Sequence, residues 1–132
     1  MIVLDASALT DVLLDQHSSG WVLDRISGEE IHSPSHQPAE VLSALSRLVR
    51  DGTLGADDAI DALQEASALP QRLVVPTAAH LQRAFSLSGR IRVLDGLYVA
   101  LAEELGCALV TTDSRLLRAD PPCEVQVPGH PG

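Results

Sequence analysis

Four acidic residues, spread along the chain, are the side chains best suited to chemistry. Asp5 and Asp113 each follow an apolar run typical of a buried strand, while Glu40 and Asp95 lie near the starts of predicted helices. Carboxylate oxygens are the ligands that Mg²⁺ and Mn²⁺ prefer. A divalent cation held this way can activate water and stabilise a phosphate during hydrolysis. The sequence therefore indicates an acidic metal site, provided that the fold brings the four residues together.

Each acid also has a purely structural interpretation, as a group that stabilises the start of a helix. Asp5, Asp95 and Asp113 could each cap a helix. Glu40 follows Gln37 by three residues and could complete a capping box. Acids are common at helix starts because they interact favourably with the helix dipole. For one acid taken alone this interpretation is preferred, and the metal site depends on all four being considered together.

Apolar periodicity, interrupted by proline and glycine, predicts strands and helices that alternate along the chain. The predicted strands are 1–4, 30–33, 72–75, 108–111 and 124–127, and the predicted helices are 7–14, 21–26, 38–49, 56–69, 78–87, 95–105 and 114–118. Strands separated by helices pair in parallel. The predicted fold class is therefore α/β, a three-layer α/β/α sandwich around a mainly parallel sheet of four to five strands. We expect one domain over residues 1–127 and a disordered tail over 128–132.

Parallel strands end at the same edge of a sheet, which is where α/β folds bind ligands. A helix that follows such a strand also begins at this edge. Asp5 and Asp113 would converge there if their two strands are neighbours, and Glu40 and Asp95 would come within reach. Four carboxylates in one pocket repel each other unless a cation neutralises them.

Composition narrows the function classes. The 132 residues carry a net charge of −9, and all nine basic residues are arginine. Without lysine, the chain cannot be a haloacid-dehalogenase-type phosphatase or a response-regulator receiver. The acidic balance also argues against strong nonspecific nucleic-acid binding. No apolar run is long enough to cross a membrane and no signal peptide is recognisable, so we expect a cytoplasmic protein whose Cys107 and Cys123 are reduced thiols.

The segments around the four acids resemble, in order, the motifs of the PIN-domain ribonucleases. These segments are Ile2–Leu9, with serine two residues after the aspartate, Pro38–Val41, Leu94–Ala102 and Leu109–Leu116. The resemblance covers most of the chain, and the size and layout are similar to the VapC toxins of bacterial toxin–antitoxin pairs. One such motif is weak evidence, whereas four in order are specific.

This resemblance implies a PIN-like fold and an endoribonuclease that uses Mg²⁺ or Mn²⁺ to hydrolyse RNA. It implies the following roles: Asp5, Asp95 and Asp113 as metal ligands, Glu40 as a further ligand or the group that orients the attacking water, and Ser7 and Thr111 as hydrogen-bond partners of these carboxylates. It also implies a homodimer and a small antitoxin whose basic segment covers the acidic site. The further acid that often follows the fourth motif is absent from 114–117, so a second metal would be weakly held or would arrive with the substrate.

Two alternatives stay open. A PIN-like domain with little or no catalysis could bind RNA or protein instead. The arginines next to the third and fourth motifs could contact RNA phosphates, or could be ordinary surface charges; they are Arg90, Arg92, Arg115 and Arg118. We interpret His32 and His36 as solvated loop residues because Pro34 separates them, and His80 as a surface residue.

Overall fold

The computed structural model describes residues 1–129, and five parallel strands form one sheet within them. The strands are β1 (Ile2–Leu4), β2 (Ile31–Pro34), β3 (Arg72–Val74), β4 (Ala108–Val110) and β5 (Val125–Gln126). Their order across the sheet is β3-β2-β1-β4-β5. β1 therefore lies at the centre with β4 beside it, and the predicted α/β sandwich around a parallel sheet is confirmed.

Seven helices cover the two faces of the sheet in the described part of the chain. They are α1 (Ala6–Leu13), α2 (Ser19–Ile26), α3 (Gln37–Arg50), α4 (Ala56–Ala68), α5 (Ala78–Ser86), α6 (Val93–Leu105) and α7 (Ser114–Arg118). Every predicted helix and strand is present, with its ends within two residues of the prediction. One shift matters for the site: α6 begins at Val93, so Asp95 lies in its first turn and Arg92 takes the N-cap position.

The side-chain alternation of β1 divides the core into two clusters. Ile2 and Leu4 point to one face, where they pack with residues from α1 to α4. Val3 points to the opposite face and packs with residues from α6 and α7. Successive side chains of a strand face opposite sides, so a strand buried on both sides has to be continuously apolar. This explains why Asp5 comes only after the strand has ended.

The histidine predictions were wrong at two positions in the fold. His32 lies within β2 and is 6% exposed. His80 is 5% exposed and belongs to a capping box, in which its Nδ1 accepts a hydrogen bond from the Thr77 backbone N–H at 3.1 Å. The sequence missed both because histidine is amphipathic and its burial depends on partners elsewhere in the fold.

Two further expectations concern the C-terminal tail and membrane-spanning segments. Pro128 and Gly129 form a turn after β5, and the rest of the predicted tail, 130–132, lies outside the described residues. Among residues 1–129, no helix combines the length and the apolar character that crossing a membrane requires.

The packing of α5 against α6 depends on a glycine. A Cβ atom at Gly96 would lie 3.1 Å from both the Cα and the Cβ of Ala84. Alanine favours helix over glycine by about 1 kcal/mol, but an overfilled contact costs about 1–3 kcal/mol. Because the Ala84 backbone is held within α5, we expect Gly96→Ala to lower the free energy of unfolding by about 1 kcal/mol in urea denaturation.

Gly20 supplies the matched control for this prediction. It also lies in a helix, α2, but a Cβ there would meet no atom within 4 Å. Gly20→Ala should therefore stabilise the protein, by up to about 1 kcal/mol. Equal effects of the two substitutions would show that the close approach of α5 and α6 does not govern the outcome.

Candidate active site at the carboxyl edge of the sheet

The carboxyl ends of β1 and β4 open into a polar cleft of about 900 Å³. Residues from α1, α3, α6 and the segment after β4 form its walls. All four acids singled out in the sequence line this cleft: Asp5, Glu40, Asp95 and Asp113. They converge because β1 and β4 are paired in register, with Leu4 beside Val110.

Asp5 is the deepest of the four acids, with 4% of its surface exposed. It caps α1: Oδ1 accepts hydrogen bonds from Ala8 N at 2.9 Å and from Ser7 Oγ at 2.8 Å. Neither of these groups donates to Oδ2. Burial raises the pKa of Asp5 to about 6, although neighbouring donors favour the charged form. Asp5 therefore caps α1 through Oδ1, and neither the Ala8 nor the Ser7 contact uses Oδ2.

Ser7 and Thr111 connect the ends of β1 and β4. Their hydroxyl oxygens lie 3.1 Å apart, and the Thr112 backbone N–H donates to Ser7 Oγ at 3.3 Å. Thr111 Oγ1 in turn accepts a hydrogen bond from the Asp113 backbone N–H at 3.0 Å. The two hydroxyls predicted to support the carboxylates thus position both Asp5 and Asp113.

Glu40 is held by three side chains. Its Oε1 accepts a hydrogen bond from the Tyr98 hydroxyl at 2.9 Å and lies 3.3 Å from His36 Nε2, while Oε2 accepts from Arg92 Nη2 at 3.0 Å. Burial alone would raise the pKa of Glu40, but these three partners lower it to about 2. The first-turn capping box is not formed, since no side chain caps α3. His36 lies in the turn before α3, as predicted, but the prediction that it is solvated was wrong, because it packs on Tyr98 within the cleft.

Two arginines neutralise the remaining acids. Arg92 donates to Asp95 through Nη2 at 3.0 Å and through Nε at 3.3 Å. Arg115 donates hydrogen bonds to both oxygens of Asp113, from Nε to Oδ1 and from Nη2 to Oδ2, each at 3.0 Å. This contact lowers the pKa of Asp113. The Asp113 carboxylate also caps α7.

The four arginines predicted to contact RNA divide into two pairs. Arg92 and Arg115 line the cleft, whereas Arg90 and Arg118 are not among its lining residues. Arg118 instead donates to Ser114 Oγ at 3.2 Å.

The donors fit a hard divalent cation in type, since carboxylate oxygens are the ligands that Mg²⁺ and Mn²⁺ prefer. A buried carboxylate is costly unless a cation accompanies it, and among residues 1–129 no basic side chain forms an ion pair with Asp5. In the side-chain conformations of this structure, residues 1–129 contain no group of three or more Asp, Glu, His or Cys side chains that could hold a metal ion. Three of the four acids are turned towards arginine, histidine or tyrosine partners instead.

Four further residues of the cleft had no functional role predicted from the sequence. They are His36, Tyr98, Asp11 and Arg47. Helical spacing is the signal that could have found three of them, because residues three, four or seven apart share a helix face. Asp11 lies four residues after Ser7, Tyr98 three after Asp95, and Arg47 seven after Glu40.

Comparison with known proteins identifies the family of this chain. The PIN domain profile matches residues 2–121. The chain belongs to the PIN-domain family.

More specific relatives lie within that family. Ribonuclease VapC12 of Mycobacterium tuberculosis is 37% identical over 119 residues, which is 90% of this chain and 92% of the relative. Ribonuclease VapC3 of the same species is 42% identical over 128 residues, covering 91% and 88%. A toxin–antitoxin complex from Klebsiella pneumoniae contains a chain of the same fold, with a TM-score of 0.73 at 13% identity and coverage of 99% and 100%. The resemblance to PIN-domain ribonucleases, inferred from the four motifs, and the similarity to VapC toxins, inferred from size and layout, are both confirmed.

The buried carboxylate of Asp5 leads to a pH prediction for protein treated with a chelator. The Asp5 carboxyl binds a proton more tightly in the folded protein than in the unfolded chain, where its pKa has the ordinary value of 3.8. The contribution of Asp5 to the free energy of unfolding is therefore fully present below about pH 4 and is lost as the pH rises through about 6. We expect Asp5→Asn to raise the free energy of unfolding at pH 7 by about 3 kcal/mol, since each pKa unit corresponds to about 1.4 kcal/mol.

Urea denaturation of wild type and Asp5→Asn between pH 4 and 7.5 measures this difference. The gap between the two proteins should open as the pH rises. If the free energies of unfolding of the two proteins changed with pH in parallel, burial would not disfavour the charged form of Asp5.

Proposed function

We propose that the protein is a metal-dependent endoribonuclease and the toxin of a toxin–antitoxin pair, acting in the cytoplasm as one domain over residues 1–127. One observation carries the proposal: four carboxylates line a single cleft, and the deepest of them, Asp5, is buried without a basic partner among residues 1–129. Such an arrangement is unfavourable unless a cation offsets the charge. The VapC relatives supply the reaction class.

The ligands would be Asp5, Asp95 and Asp113, with Glu40 completing the site and Mg²⁺ or Mn²⁺ as the ion. When bound, the cation would lower the pKa of a water molecule and offset the charge of the scissile phosphate. Ser7 and Thr111 would keep two of these carboxylates oriented through the hydrogen bonds described above.

Glu40 is suited to orienting the attacking water. Hydrogen bonds from His36 and Tyr98 lower its pKa and keep its carboxylate ionised at neutral pH. Tyr98 and His36 fix its position through Oε1, so it can accept a hydrogen bond from water in a defined direction. The water, with its pKa lowered, would give up a proton to solvent and attack phosphorus as hydroxide. The P–O bond to the leaving ribose oxygen would break, that oxygen would take up a proton from solvent, and no covalent enzyme intermediate would form.

RNA would approach over the mouth of the cleft. The side chains of Arg92 and Arg115 are 59% and 81% exposed there. Their guanidinium groups can reach phosphates that flank the cut, and such contacts position a strand without reading its sequence.

A cleavage assay with purified protein tests this proposal. RNA should be cut with Mg²⁺ or Mn²⁺ and remain intact with a chelator. Asp5→Asn and Asp113→Asn should each lower the rate on the order of 100-fold or more, because each removes a charged ligand. Asp61→Asn is the matched control, since Asp61 lies on the exposed face of α4 and should leave the rate unchanged.

Cleavage that needs no metal and survives both substitutions would overturn the proposed mechanism. RNA binding without cleavage, under any metal condition, would favour the alternative in which the domain acts as a binding module.

Two partners follow from the same proposal. An acidic cleft in a chain with a net charge of −9 is complementary to a basic segment of an antitoxin. A homodimer is supported by Leu81 and Phe85, which lie one turn apart on α5 and are 53% and 77% exposed. Neighbouring exposed apolar side chains of this size often mark an interaction surface.

Light scattering coupled to size-exclusion chromatography tests the dimer. Phe85→Ser should shift the mass from dimer to monomer at micromolar concentration, because it removes the largest exposed apolar side chain of α5. Ile60→Ser, which removes an exposed apolar side chain from α4, should leave the mass unchanged. A wild-type monomer, or a dimer that persists in Phe85→Ser, would contradict this assignment.

A further inference from the structure

Arg92 occupies the mouth of the acidic cleft and binds two of its carboxylates at once. Its Nη2 atom lies 3.0 Å from Glu40 Oε2 and 3.0 Å from Asp95 Oδ1. Its Nε atom donates to the second oxygen of Asp95 at 3.3 Å. Among residues 1–129, it is the one arginine that pairs with two of the four acids.

We propose that Arg92 is an exchangeable internal counterion, which must leave Glu40 and Asp95 before a divalent cation can bind and which therefore sets the metal affinity of the site. This inference rests on the proposed function, because it concerns the same metal site. The competitor for the metal is then a side chain of the protein itself.

The competition follows from the atoms involved. Arg92 donates hydrogen bonds to both oxygens of Asp95 and to one oxygen of Glu40, and a metal bound by these acids would coordinate the same oxygens. A guanidinium group and a divalent cation repel each other, so they cannot share these oxygens closely in a partly buried cleft. Binding of one must displace the other.

The position of Arg92 makes this exchange easy. The residue immediately precedes α6, with a non-helical backbone, and its side chain is 59% exposed. A long side chain of this exposure can turn into solvent without disturbing the core, and ion pairs in contact with water contribute little to stability. The acids themselves stay in place, at 17% and 25% side-chain exposure.

Glu40 remains oriented when Arg92 leaves. Tyr98 and His36 both contact Oε1, whereas Arg92 contacts Oε2. Departure of the guanidinium therefore uncovers an oxygen that is already positioned at the cleft. The released guanidinium is then available at the mouth of the cleft, where RNA phosphates would pass.

Calorimetric titration of chelator-treated protein with Mn²⁺, without RNA, tests the proposal. Arg92→Gln should bind Mn²⁺ roughly five- to tenfold more tightly than wild type, because the competing charge is gone. Arg92→Lys, which keeps the charge but loses the forked contact to both acids, should fall between the two. Arg50→Gln is the matched control for net charge, since Arg50 ends α3 about 15 Å along the helix from Glu40, and its affinity should equal that of wild type.

Nuclear magnetic resonance supplies an independent readout in wild type. Addition of Mg²⁺ should move the Nε–Hε signal of Arg92 towards that of a solvent-exposed arginine. Equal Mn²⁺ affinity in wild type and Arg92→Gln, or weaker binding in the variant, would overturn the role of Arg92 while leaving the metal site intact. Failure of both proteins to bind Mn²⁺ would instead overturn the metal site and the proposed function with it.

Discussion

The repulsion among four carboxylates at one edge of the sheet is the constraint on which the rest of the site depends. Parallel pairing of β1 with β4 brings Asp5 and Asp113 together, and the helices that start at the same edge add Glu40 and Asp95. The four acids differ in how their negative charge is accommodated. Arginine pairs neutralise the acids near the surface, while Asp5 remains in the interior with hydrogen bonds but no basic partner among the described residues.

Structural roles and proposed functional roles coincide at this edge. Asp5 and Asp113 each cap a helix and each face the cleft. The two roles are compatible because a carboxylate has two oxygens, of which one can accept a backbone N–H while the other faces a ligand. Capping also fixes the direction of the side chain. Helix initiation thus orients the same groups that we propose as metal ligands.

The helices and strands, the α/β class and the place of Asp5 and Asp113 at strand ends could be predicted from the sequence, because they depend on local patterns. The strand order that puts β4 beside β1 and brings the acids together could not. Apolar runs mark buried strands, and an acid directly after such a run must lie at the edge of the sheet. The partners of the acids could not be predicted in the same way. Arg92 and Tyr98 reach Glu40 across 52 and 58 residues of sequence, and His36 lies near a proline that suggested a loop. Such contacts depend on side-chain geometry that only the packed structure defines.

The central claim is that the four acids form a divalent cation site. Diffraction from crystals grown with Mn²⁺, measured near the manganese absorption edge, tests this most directly. We expect an anomalous peak within coordination distance of Asp5 and of at least one of Glu40, Asp95 and Asp113, at roughly 2.1–2.3 Å from their oxygens. The account would be contradicted by a cleft without an anomalous peak at saturating Mn²⁺, with Arg92 and Arg115 still paired to the acids.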